Sequence, residues 1–167
     1  MWPFRRRQPD SPKHKFKAGT KALRKQDFAQ AIESLSAVCE AEPDNAAAAA
    51  NLGMAYFRVG QYEAALQHLE RAREHDSRNP KILLNLAAAN NALDRVDEAT
   101  DLLLRTLEID PQHRDCHYNL AIAYWKKGRV PEAMAELELE LALHPDHALA
   151  KQVADRLRQE YQTSPDE

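Results

Sequence analysis

The sequence predicts an all-α fold built from repeated helical hairpins, and three observations carry that prediction. The first is a period: Ala31, Ala65, Ala99 and Ala133 lie 34 residues apart, and the pattern around each recurs with them. The second is composition, since only four glycines interrupt 167 residues rich in Ala, Leu, Glu and Gln, all good helix formers. The third is the spacing of apolar side chains, which is helical rather than alternating in each copy. A fixed period of this length means one supersecondary unit stacked on copies of itself, each burying its apolar face against its neighbours. Such stacking produces an extended surface rather than a closed pocket, so a binding role is expected ahead of a catalytic one.

The elements follow in order. Residues 1–11 form a basic tail, and Ser11-Pro12 opens the first helix as a cap followed by a first-turn proline. Four units are predicted at 12–45, 46–79, 80–113 and 114–147, each with two helical patterns separated by a short turn. In the second unit Leu52, Tyr56 and Val59 mark the first helix, Gly60-Gln61 breaks it, and Ala65, Leu66, Leu69 and Ala72 mark the second. Gly19, Gly53, Ala87 and Ala121 share one repeat position and the four spaced alanines another; both suit helices that cross closely. Pro43, Pro111 and Pro145 stop the second helices, because proline has no N–H to donate and clashes with the preceding turn. Residues 148–162 read as a capping helix with an apolar stripe of Leu149, Val153, Leu157 and Tyr161, and 163–167 as a polar tail.

Leu52-Gly53, Tyr56, Tyr62, Ala65, Leu69 and Ala72, echoed by Leu120-Ala121, Tyr124, Ala133, Leu137 and Pro145, resemble the tetratricopeptide repeat. The first copy departs most, with Ala18 and Ala22 at the Leu and Tyr positions, and Glu140 stands where the family usually has a small residue. The resemblance implies a right-handed superhelical α-solenoid of four such units plus the capping helix, with first helices lining a concave groove. It also implies a protein-interaction scaffold, adaptor or assembly factor. Carried onto this chain, the groove lining comprises Asn51, Met54, Phe57, Arg58, Lys81, Leu84, Asn85, Ala88 and Asn91, then Asp115, Tyr118, Asn119, Ile122, Trp125 and Lys126. Asn51, Asn85 and Asn119 share one repeat position, and side-chain amides can hold a peptide backbone whatever its sequence. Met54, Phe57, Tyr118, Ile122 and Trp125 would add apolar contact. Family members that grip acidic chaperone tails use Lys, Asn, Asn, Lys and Arg at five positions. Those positions here hold Phe16, Thr20, Asn51, Lys81 and Asn85, so such a clamp is not expected.

Other chemistry is thinly represented. His113, Cys116 and His117, with His144 and His147 one repeat later, could in principle hold zinc, but their spacing matches no recognised site. Glu136, Glu138 and Glu140 read as a solvated helix face. No phosphate-cradling glycine loop, nucleophile elbow or H-E-x-x-H occurs, so neither an enzyme, a metal nor a cofactor is expected. Cys39 and Cys116 are distant and unaccompanied, as reduced thiols of a cytoplasmic protein would be.

Charge supplies a second lead. The net charge is −3, yet residues 1–25 hold nine cations against Asp10 alone, which leaves +8 at the front and −11 behind. Trp2 and Phe4 beside Arg5, Arg6 and Arg7 suit an anionic membrane interface or docking onto another copy. The alternative expectation is therefore a membrane-peripheral, self-associating assembly factor anchored by that tail. Nucleic acid is the weaker candidate, because the acidic body opposes it.

Overall fold

The computed structural model describes residues 11–163, with side chains to residue 160; the tail bearing Trp2, Phe4 and Arg5 to Arg7 lies outside them. The described residues form only helices, joined by tight turns: α1 (Pro12–Arg24), α2 (Phe28–Ala41), α3 (Ala46–Arg58), α4 (Tyr62–His75), α5 (Pro80–Ala92), α6 (Val96–Ile109), α7 (Cys116–Lys126), α8 (Val130–Leu143) and α9 (Ala148–Thr163). They fall into two compact units, α1–α4 up to Ser77 and α5–α9 from Arg78. No described helix is long and apolar enough to cross a membrane.

Within each hairpin the same chemistry turns the chain. Gln26, Gly60, Asp94 and Gly128 occupy one repeat position, all in the left-handed region with φ of 60°, 79°, 58° and 71°. The following residue then donates its N–H back to the last turn of the first helix: Asp27 to Ala22 O, Gln61 to Tyr56 O, Arg95 to Asn90 O and Arg129 to Tyr124 O. This is the Schellman closure, which satisfies carbonyls that the ending helix would leave open.

In the first unit α1 packs on α2, α3 on α4, and α2 on α3. The small residues decide how closely. A Cβ on Gly19 would stand 2.6 Å from Leu35 Cγ, and one on Gly53 2.6 Å from Leu69 Cγ and 3.0 Å from Ala65 O. Ala31 and Ala65 are fully buried at the crossings, as are Leu35 and Leu69, which share a repeat position. Each such leucine contributes roughly 1.5–3 kcal/mol by leaving water. Arg71 fastens the outer side, donating through Nε and Nη2 to Pro43 O and through Nη2 to Cys39 O.

The second unit repeats the arrangement with Leu86, Leu103, Leu120 and Leu137 in its core and adds α9 against α8. The buried face of α9 is Ala150, Ala154 and Leu157, whereas Leu149 is 56% exposed, so the predicted stripe is rotated by about one residue. Alanine lets α9 approach closely, and Leu149 falls off that contact line. At the α9 positions where other repeats present a small residue and, in two of them, a tyrosine stand Asp155 and Arg158, ion-paired to each other at 3.1 Å.

The α7–α8 hairpin also departs from regularity. Asn45 and Asn79 cap α3 and α5, accepting from Ala48 N–H and Lys81 N–H. The equivalent His113 turns its Nδ1 toward Arg114 O instead, and α7 begins only after Asp115, at φ 70°.

Candidate functional site

A helix turns 100° per residue, so positions spaced by four, three and four residues share a face. On α3 that face carries Ala47, Asn51, Met54 and Arg58; on α5, Lys81, Asn85, Ala88 and Ala92; on α7, Asp115, Asn119, Ile122 and Lys126. In the first unit Asn51, Met54 and Phe57 are half-buried and Arg58 is exposed. Phe57 lies 5.5 Å from the Tyr62 ring, and the Arg58 guanidinium sits 5.0 Å over Phe28. In the second unit Lys81 and Lys126 are exposed, Asn85, Ala88, Tyr118, Asn119, Ile122 and Trp125 are half-buried, and Leu84 is buried in the core layer. Tyr118 rests 5.0 Å from the His147 ring and Trp125 lies 4.9 Å beneath the Arg156 guanidinium.

The three equivalent asparagines differ in what they can still do. Asn119 donates to Asp115 O at 2.7 Å, which ties its amide to its own helix. Asn51 and Asn85 make no such bond, so both amides keep donors and an acceptor for another molecule. Asn91 is buried and structural: its Nδ2 donates to Asn119 O, while Lys126 Nζ donates to Asn91 O and Asp94 Oδ1. α9 extends the same register with Val153 and Arg156, one repeat after Asn119 and Ile122.

Glu140 is wholly buried, which corrects its reading as part of a solvated face. Its two oxygens accept the N–H groups of Asp115 and Tyr118 at 3.0 and 3.3 Å, so a carboxylate from α8 caps α7 where His113 does not. The positive end of a helix favours a negative charge there. Beside it His147 caps α9, its Nδ1 accepting Ala150 N–H at 3.1 Å, and its Nε2 lies 2.8 Å from Asp115 Oδ1 and 3.7 Å from Glu140 Oε1. Asp115, Glu140 and His147 thus converge as a metal site would. However, a neutral ring that accepts at Nδ1 carries its proton on Nε2 and has no lone pair there for a cation, so capping accounts for the cluster better. The histidines and cysteine singled out in the sequence are dispersed: His117 pairs with Glu136 at 2.7 Å and Cys116 Sγ donates to Leu103 O. Burial, reinforced by Glu140, Glu136 and Asp110, pushes the Cys116 thiol up to about 12.

The tetratricopeptide repeat profiles match residues 16–74, 57–114 and 101–157. The chain belongs to the tetratricopeptide repeat family. None of the curated proteins compared with it matches significantly. Among solved structures, MamA is 23% identical over 90% of this chain and 88% of its own, with a TM-score of 0.72. YrrB, described as a repeat protein of this family with an unusual peptide-binding site, is 23% identical over 89% of this chain and 76% of its own, at 0.76. The first repeat domain of Spaghetti (RPAP3), bound to the HSP90 peptide SRMEEVD, is 22% identical over 70% of this chain and 93% of its own, at 0.67. At these identities the likeness is one of fold: an all-α repeat solenoid.

Proposed function

We propose that this tetratricopeptide repeat protein is a non-catalytic scaffold whose first-helix faces hold an extended segment of a protein partner. The observation that carries this reading is that the amides of Asn51 and Asn85 are uncommitted at one repeat position, Asn51 sharing its helix face in the first unit with half-buried Met54. Amides meet a peptide backbone, and partly exposed apolar side chains supply the contact area that gives affinity. Peptide binding described for YrrB and for Spaghetti supports a role of this kind. A chaperone tail is not the expected cargo, since Phe16, Thr20 and Asn85 stand where cations and amides would hold its carboxylates.

A pulldown comparing wild type with Asn85→Ala/Tyr118→Ala/Trp125→Ala tests the reading. Loss of bound partners supports it, and an unchanged set of partners overturns it. The second reading, a membrane-peripheral and self-associating assembly factor, rests on Trp2 and Phe4 beside Arg5, Arg6 and Arg7. Flotation with anionic vesicles, wild type against a variant beginning at Asp10, decides it: equal flotation removes the membrane anchor.

A further inference from the structure

In the first unit charge is segregated by layer. The first helices α1 and α3 together carry Lys13, Lys15, Lys17, Lys21, Arg24 and Arg58 and not one carboxylate. The second helices α2 and α4 carry Glu33, Glu40, Glu63, Glu70 and Glu74 against Arg71 and Arg73. Among the described residues none of the six first-helix cations takes part in an ion pair or side-chain hydrogen bond. Lys13, Lys17 and Arg24 lie within about 40° of one another around α1, by the 100° step of the helix. Arg58 stands at the position of Arg24 on the adjacent α3, so all four belong to the face that presents Asn51 and Met54.

A solvated end helix does not by itself explain this. Solubility is served by mixed charges, and α9 has them, with Asp155 paired to Arg158 and Arg156 to Glu160. Unpaired cations of one sign on a face with apolar recesses raise the local concentration of an anionic ligand and orient it.

Resting on the reading that first-helix faces bind a peptide, we infer that the α1–α3 face takes an acidic protein segment whose carboxylates alternate with apolar side chains. Lys13, Lys17, Arg24 and Arg58 receive the carboxylates, Asn51 meets the backbone, and Met54 takes the apolar groups. A lipid surface would meet only the exposed cations and leave half-buried Asn51 and Met54 unused. A nucleic acid would find Phe57 already engaged with Tyr62 rather than open for a base to stack on.

The test is fluorescence anisotropy on the full chain with a labelled peptide of repeated Glu-Glu-Leu and its Gln-Gln-Leu counterpart. Wild type should bind the acidic peptide at least about tenfold more tightly than the neutral one, with affinity falling as salt rises. Lys17→Glu/Arg58→Glu should abolish the preference while the circular dichroism spectrum stays helical; should that pair disturb folding, Lys17→Gln/Arg58→Gln should still lower it several-fold. Equal affinity for the two peptides, or an acidic-peptide affinity indifferent to these substitutions, overturns the inference. So does binding of phosphatidylserine vesicles or a single-stranded RNA in place of the peptide. Natural partners lost by the Asn85/Tyr118/Trp125 variant but retained by Lys17→Glu/Arg58→Glu would sink this inference and leave the scaffold reading standing.

Discussion

At the scale of single residues, the fold rests on where a Cβ can and cannot be placed. Gly53→Ala puts a methyl 2.6 Å from Leu69 Cγ and 3.0 Å from a backbone oxygen that cannot retreat alone. Urea denaturation should show a loss of about 1–3 kcal/mol, typical of overpacking. Gln26 presents the reverse case. It holds the left-handed turn, at φ 60°, that Gly60 and Gly128 hold in sister repeats. Gln26→Gly removes the Cβ conflict and should raise stability by up to about 1 kcal/mol, the relief outweighing glycine's extra freedom in the unfolded chain. Cys116 gives a pH signature. Its thiol is raised from the ordinary 9.0 to about 12, so the folded state favours the neutral form. The resulting stability is complete below pH 9 and is lost as pH climbs from 9 toward 12, at up to about 1.4 kcal/mol per pH unit. Denaturation under reducing conditions at roughly pH 8 and pH 10.5 should show that decline in wild type and much less of it in Cys116→Ala.

At the scale of elements, capping distinguishes one repeat from the next. α3 and α5 are capped by their own asparagines, whereas α7 borrows the carboxylate of Glu140 from α8. Glu140→Ala leaves the N–H groups of Asp115 and Tyr118 without their buried partner and should cost roughly 2–3 kcal/mol. Amide exchange should accelerate first at the start of α7. For α9, His147→Ala should loosen the first turn by about 1 kcal/mol while His147→Asn keeps most of the cap, since either side chain can accept the Ala150 N–H. Exchange at Ala150 separates the two variants; equal protection in both would refute the capping role. Glu140 was misread from sequence because helical spacing alone does not say which face its neighbours cover.

At the scale of the whole molecule, stacked repeats couple to nearest neighbours, so damage at one crossing stays regional. Gly53→Ala should therefore speed exchange in α3 and α4 well before it does so in α8 and α9, and uniform acceleration would contradict that expectation. The charge layering of α1–α4 and the free amide of Asn51 are properties of one face of the first unit, and under the proposed reading they tie partner choice to the repeat rather than to any one residue. Which residues share a first-helix face was legible because a 34-residue step copies each face. The family resemblance put Leu84 and Asn91 with them, yet both are buried, and Asn91 is spent holding Asn119 and Lys126.

The amino-acid sequence alone determined the helices, their pairing and the family, because periodic small and apolar residues leave close-packed hairpins as the one way to bury them. Only the tertiary structure decided that Glu140 closes a neighbouring helix, that α9 docks through Ala150 and Ala154, and that Asn119 is tethered while Asn51 and Asn85 are not. The first two outcomes depend on partners more than a dozen residues away, and the third on the local turn at Asp115 that Glu140 holds, so a local pattern carries no record of which distant group will arrive at hydrogen-bonding distance.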